Sequence, residues 1–417
     1  MKKFMEFMGE KVAPKLQKVA ANSYVSGLQS AILKTVPMVF VSSIVTVYNV
    51  VRRYATNLPD IGGISSYTFG LISLFMAFLV PYYITEKKGN NKGKFVAGLS
   101  GISLFMLLIN PEVADVGYIY NFSGFGAGGM FVAIIAGIFT SIIFQLCSKI
   151  QIFGEDSLIP DFCKEWFDTM LPVFLVVFTG WLLVLQMKID LFTIIVDVFM
   201  PIVGIANSYV GCLLLYMIPT ILYSMGISGW VFQPILNPVG TVALAANLVA
   251  YEAGTSLPYV YAGGVPTAYL SLGGRGVTFM LVVFFMFSNS KRLRALGKAY
   301  FVPNMMNINE PVVFGSIAWN PILMVPMWIS SFLVVTITYF TLTLGLVPIP
   351  HEVFSLWYLP IGITSFLVSG SISGILLCLV NLGVSALVWW PFFKAYEKTI
   401  IAEDEENNTT EAQATSA

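Results

Sequence analysis

Apolar runs of about the length needed to cross a bilayer recur along the chain, separated by short polar or basic loops. They fall at about 31–51, 67–84, 95–110, 128–147, 170–187, 207–227, 320–346 and 375–393, and a helix of roughly 20 residues spans the ~30 Å hydrocarbon layer. Each is predicted to be a membrane helix. Other stretches carry a different pattern. Residues 1–20 place Phe4, Phe7, Met8 and Val12 at helical spacing among Lys2, Lys3, Lys11, Lys15 and Lys18, which predicts a helix lying on the membrane surface. Residues 154–168 mix acids and Lys164 with Ile159, Phe162, Trp166 and Phe167, a second amphipathic surface helix with Pro160 in its first turn. Residues 189–205 are apolar but hold Asp190, Asp197 and Pro201, and are read as a third interfacial helix.

Between 226 and 276 the pattern breaks. Gly226-Ile227-Ser228-Gly229, Asn237-Pro238, Gly263-Gly264 and Gly273-Gly274-Arg275-Gly276 are too many breakers for a continuous span, so a re-entrant, cavity-lining region is expected. Trp357-Tyr358-Leu359-Pro360-Ile361-Gly362 and Ser369-Gly370-Ser371-Ile372-Ser373-Gly374 form a second broken hairpin. Residues 403–417 are acidic, polar and small, the composition of a disordered tail.

Composition agrees with the pattern: 57% of residues are hydrophobic and 11% charged, which places the chain among integral membrane proteins. With a formal net charge of zero and no basic block suited to a polyanion, a nucleic-acid partner has no support. Cys147, Cys163, Cys212 and Cys378 are scattered without metal-ligand spacing and read as packing residues. His351 is the single histidine, on an expected external turn and read as solvated. No metal site and no haem, zinc or iron–sulfur cofactor is expected. Lys34 stands near the start of the first run, where it can snorkel to the interface. Lys and Arg cluster at 87–94 and 291–298, so both loops, with both termini, are predicted to be cytoplasmic.

The chemistry centres on Asn307-Ile308-Asn309-Glu310-Pro311, a carboxylate inside the apolar carboxy-terminal half. Asparagine and proline at bilayer depth free backbone groups that lipid cannot satisfy, so such a segment lines a cavity or is buried in protein. A carboxylate there is a functional candidate. The plainer alternative is a glutamate that caps a helix or pairs with a lysine in a loop.

These motifs carry a resemblance that runs from residue 1 to about 398. The amino-terminal helix, the Ser290-Lys291-Arg292-Leu293-Arg294-Ala295-Leu296-Gly297-Lys298 run, Asn307 to Pro311 followed by Phe314-Gly315 and Asn320-Pro321, and Trp390-Pro391-Phe392-Phe393-Lys394-Ala395-Tyr396 together resemble the membrane-embedded IIC component of the bacterial phosphoenolpyruvate-dependent phosphotransferase system, lactose/cellobiose branch. The resemblance implies an all-α integral membrane protein of about ten transmembrane helices with two re-entrant hairpins, beside the interfacial helices. It implies a sugar permease in the bacterial cytoplasmic membrane, dimeric through its amino-terminal half (21–205) and carrying a β-glucoside or disaccharide in its carboxy-terminal half (206–398). Residues 1–20 and 399–417 flank these halves. A separate phosphorylated IIB protein would dock on the cytoplasmic face, since nothing outside the membrane segments is long enough to fold as IIA or IIB.

By the same resemblance, Glu310 contacts the sugar near the hydroxyl that receives phosphate, where a carboxylate can accept the hydroxyl proton and orient the nucleophile. Asn309 would add an amide and Trp357 an aromatic face, with Ser228, Gly229, Asn237 and Arg275 completing the expected site. Two positions depart from the family pattern. Gly226-Ile227-Ser228-Gly229 stands where Gly-Ile-His-Gly is usual, and Arg275 where the Gly-rich turn usually has serine. Ser228 can exchange hydrogen bonds but lacks the reach and charge of an imidazole. Arg275 could pair with Glu310, bind an anion, or snorkel to the interface. Two functions stay open on the sequence: a IIC permease coupled to phosphorylation, and a diverged relative that binds or passes a ligand, or senses it, without phosphoryl transfer.

Overall fold

The computed structural model describes residues 18–19, 21–52, 55, 57–115, 117–150, 153 and 160–416. The surface helix expected over 1–20 falls almost wholly outside the described residues, as does the start of the one expected over 154–168.

The apolar runs fold as helices, and several of these begin where a polar side chain accepts a free backbone amide. α1 (Ser23–Arg52) follows Asn22, whose Oδ1 accepts from the Tyr24 amide at 2.9 Å, and ends on Arg52, a cation at the negative end of the helix dipole. It packs along α2 (Ile72–Lys87), which is flanked by α3 (Lys94–Leu108) and α4 (Met130–Cys147). A small antiparallel hairpin, β1 (Glu112–Ala114) with β2 (Gly117–Ile119), joins α3 to α4. α5 (Asp161–Gly180) continues as a π-helical turn, Trp181–Gln186. α6 (Leu191–Ala206), capped by Asp190, meets α7 (Tyr209–Tyr223), capped by Ser208, at 82°.

In the second half come α8 (Gln233–Glu252), α9 (Phe279–Met286), α10 (Lys291–Met305) capped by Ser290, and α11 (Pro321–Thr343) capped by Asn320. α12 (Ile363–Ser369) stops at Gly370, whose φ of 62° ends the helix, and α13 (Ile372–Ser416) closes the chain. Among the described residues seven helices are long and apolar enough to cross a membrane, or eight if the bent pair α6–α7 is one span. Of the eight runs expected to span, that at 95–110 folds as the shorter helix α3.

Several sequence expectations are corrected. α1 begins at Ser23, so Lys34 stands well inside it rather than near its start. Pro160 precedes α5 instead of sitting in its first turn, and α5 runs unbroken through the expected boundary between surface helix and span. Asn237-Pro238 does not break the chain: Pro234 takes an N-terminal position of α8, where a missing amide costs nothing, and Pro238 follows one turn on. The tail is helical to Ser416 in place of the disorder expected from Glu403. Its Glu, Ala and Gln residues favour helix, and its start is anchored by buried Ile400 and by Arg292 at 3.5 Å from Glu403.

Three apolar cores hold the helices together. The first joins α1–α6 and reaches across to Val242, Ala243 and Leu244 of α8. A second gathers around Tyr216, Tyr269, Val334 and Cys378, and a third around Leu281, Phe285, Met327 and Trp389. Cys147, Cys212 and Cys378 are buried free thiols, as packing residues would be.

Candidate functional site

The two broken stretches of the sequence meet around one glycine-rich turn. Gly273, Gly274 and Gly276 hold φ at 77°, 88° and 96°, a path open to glycine and strained for other residues, and a Cβ on Gly274 would strike Asn309. Three asparagines clamp this turn. Asn304 Nδ2 donates to Gly273 O at 2.7 Å and to Thr278 Oγ1 at 3.0 Å. Asn307 accepts from the Gly273 amide at 3.0 Å and donates to Trp357 O at 3.1 Å. Asn309 donates to Arg275 O at 2.7 Å and Thr278 Oγ1 at 3.1 Å, and its Oδ1 accepts from the Tyr223 hydroxyl at 3.2 Å.

The chain leaves the turn through Val277 at φ 54°, an unfavourable conformation for a β-branched residue. Its carbonyl accepts from Ser385 Oγ at 2.9 Å and Trp389 Nε1 at 3.0 Å, so α13 holds it there. Two π-helical turns, Pro266–Leu270 and Val313–Ile317, flank the arrangement, a placement common near functional sites.

A cavity of about 600 Å³ lies against the turn, within the ~300–1,000 Å³ typical of small-molecule sites. Glu310, Asn309, Gly229, Asn237, Arg275 and Trp357 line it. Ser228 is exposed and lies next to Gly229, though it is not itself part of the lining. The opposite wall comes from the amino-terminal half, through Thr35, Val36, Val39 and Phe40 of α1. The cavity is therefore not confined to the carboxy-terminal half.

The charged residues of the lining are Glu310 and Arg275. Glu310 is exposed to the cavity and makes no side-chain hydrogen bond or ion pair with any described residue. Neither alternative reading, a capping role or a lysine partner, is seen. Arg275 is half-buried; its Nη1 donates to Tyr216 O at 3.3 Å and its Cζ stands 5.0 Å from the Tyr216 ring centre, a cation–π contact. It neither pairs with Glu310 nor snorkels away. Trp357 meets Tyr358 edge-on at 5.8 Å, and Tyr358 meets Phe40 of α1 at 5.2 Å.

Asn309 is 3% exposed, and both amide N–H groups are spent on the turn. The amide expected at the sugar thus has both N–H groups engaged in holding the turn, although Asn309 borders the cavity. His351 is not a solvated loop residue either: it stacks on Tyr251 at 3.7 Å and its Nε2 is buried. Sequence reasoning missed Gln233 and Thr241, which line the cavity with Asn237 at four-residue intervals on α8, and Thr267 and Ser271 at the same spacing. That periodicity of polar residues in an apolar helix was the available signal.

Fold and site together define a multi-pass helical membrane protein that encloses a polar small-molecule cavity bearing an open carboxylate. The sequence profile of the EIIC component of the phosphotransferase system matches residues 29–331, and the chain belongs to that family. It is 28% identical to the lichenan permease IIC component of Bacillus subtilis (strain 168), over 97% of this chain and 96% of that protein. It is 27% identical to the oligo-beta-mannoside-specific EIIC component of the same organism, over 98% of each. Its fold matches the crystal structure of the transporter ChbC, the IIC component of the N,N'-diacetylchitobiose-specific phosphotransferase system, with a TM-score of 0.86 and 25% identity over 96% of this chain and 99% of that one.

Proposed function

We propose that this EIIC chain moves a β-linked disaccharide or related β-glycoside across a bacterial cytoplasmic membrane, and that the sugar is phosphorylated in the cavity by a separate phosphorylated IIB protein. The observation that carries this reading is the Glu310 carboxylate, open to a cavity of disaccharide size and without a side-chain partner among the described residues. An acceptor-only group in such a place suits a sugar hydroxyl, whose proton it can take as the oxygen attacks phosphorus. The relatives named above for lichenan, oligo-β-mannosides and N,N'-diacetylchitobiose support a β-linked substrate. In this reading Trp357 offers a stacking face, Asn237 and Gly229 shape the sugar pocket, and Asn309 holds the turn.

The decisive experiment is Glu310→Gln, assayed by direct sugar binding and by phosphorylation with cognate phosphorylated IIB. Binding should weaken by about 1.5–3 kcal/mol, the range for hydrogen bonds to a charged group, and phosphate acceptance should be lost. Full binding and full phosphorylation in a folded variant would make the carboxylate structural and remove the main support for this reading.

The same reading divides the chain into an amino-terminal membrane half (21–205) that forms a homodimer and a carboxy-terminal half (206–398) that carries most polar groups of the site. Small residues in the spans before residue 150 would let helices of two copies approach closely. Mass photometry in nanodiscs should find the dimer; monomer at every concentration would refute it.

A further inference from the structure

We infer that the cavity is built for a glycoside carrying a carboxylate, with Arg275 as the residue that binds the anion. This deepens the sugar-permease reading and rests on it. A guanidinium offers five N–H donors and no acceptor. Here one donor is spent on Tyr216 O, and the remainder have no hydrogen-bond partner among the described residues although the side chain is half-buried. A cation held in such a place is costly unless something pairs with it. Glu310, which lines the same cavity, does not form that pair.

The two charged groups therefore stand apart, one able only to accept and the other only to donate. Glu310 suits neutral hydroxyls. The planar fork of Arg275 matches a carboxylate, which it can hold by two parallel hydrogen bonds. The surroundings fix the fork in advance. Its backbone lies in the turn clamped by Asn304, Asn307 and Asn309, and the Tyr216 ring lies beneath the guanidinium. Gly229 stands beside the Nε side, where a Cβ would come into van der Waals contact with Nε at 3.6 Å, so its lack of a side chain keeps the approach to that edge from narrowing further. A cation ordered before the ligand arrives loses little entropy on binding it.

The test uses the purified full chain in detergent, with calorimetric titration of cellobiose, of cellobiouronic acid, which adds one carboxylate to the same β-linked skeleton, and of acetate. The acidic disaccharide should bind at least about tenfold more tightly than cellobiose at low salt, as a charge-assisted pair implies. The advantage should shrink as salt rises. Arg275→Gln, confirmed as folded by its melting curve, should abolish the preference, and Arg275→Lys should restore part of it. Equal affinities for the two disaccharides, or a preference that survives Arg275→Gln, would overturn the inference and leave the sugar-permease reading standing. Acetate binding as tightly as the acidic sugar would also overturn it, by making the site one for small anions. Failure of every disaccharide to bind would overturn this inference and the permease reading together.

Discussion

Asn309 and Glu310 are neighbours in the chain with opposite employment. The amide of Asn309 is fully engaged in holding the Gly273–Gly276 turn to Tyr223, while the carboxylate beside it makes no hydrogen bond or ion pair with any described residue. Their substitutions should separate accordingly. Asn309→Ala leaves the Arg275 carbonyl and the Tyr223 hydroxyl without the partner Asn309 gives them, while Thr278 keeps its bond from Asn304, at about 1–3 kcal/mol for each buried group left unpaired, and should lower the melting temperature in detergent. Glu310→Gln should leave it unchanged. A comparable fall in both would place the carboxylate in the scaffold. The sequence identified this stretch because a carboxylate among Asn and Pro in an apolar region is conspicuous. It did not reveal which of the two residues faces ligand, because the partners of Asn309 lie more than thirty positions upstream and are brought to it only by the fold.

α8 shows what can be read at the level of an element and what cannot. Asn237-Pro238 reads as a break in the sequence, yet the helix continues through Pro238, while Pro234 sits in its first turn, where it removes an amide that would have had no partner. What remains is an amphipathic span of an unusual kind, with Gln233, Asn237 and Thr241 on the cavity side and Ile235 exposed on the other. Asn237 makes no side-chain hydrogen bond to described residues, so its polarity serves the cavity rather than the fold. Asn237→Leu should weaken sugar binding roughly two- to tenfold, the worth of one neutral hydrogen bond, with no loss of thermal stability. Ile235→Ala, on the outer face, should leave binding unchanged in the same titration. Equal effects of the two would show that α8 acts only by packing. The apolar spans were legible because length and composition alone decide them. The broken region was not, because glycine and proline signal an irregular path without saying whether the chain turns back or continues.

Over the whole molecule, the placement of the basic loops tests the orientation expected in the membrane. Ser23, at the start of α1, donates to Lys87 O at 3.4 Å, and Lys88 Nζ stands 4.4 Å from the Tyr24 ring centre, so this end of α1 lies beside the loop at 87–94. Toward the other end of α1, Thr46 donates to Val353 O at 2.6 Å and Ser43 accepts from the Ser355 amide at 2.8 Å. From there the chain passes through α12 into α13, which travels away and brings Glu397 to the second basic loop. Glu397 accepts from Ser288 Oγ at 2.6 Å, from the Asn289 amide at 2.7 Å and from Lys394 Nζ at 2.7 Å. Both basic loops thus lie away from the contact at 353–355, a path that supports placing them on one side of the membrane. Lys and Arg in short loops favour the cytoplasmic side. Single cysteines at exposed Asn91 and Asn289, in a background without the native thiols, should therefore both resist an impermeant maleimide in intact cells and both react in inverted vesicles. Labelling of the two from opposite sides would reject this orientation.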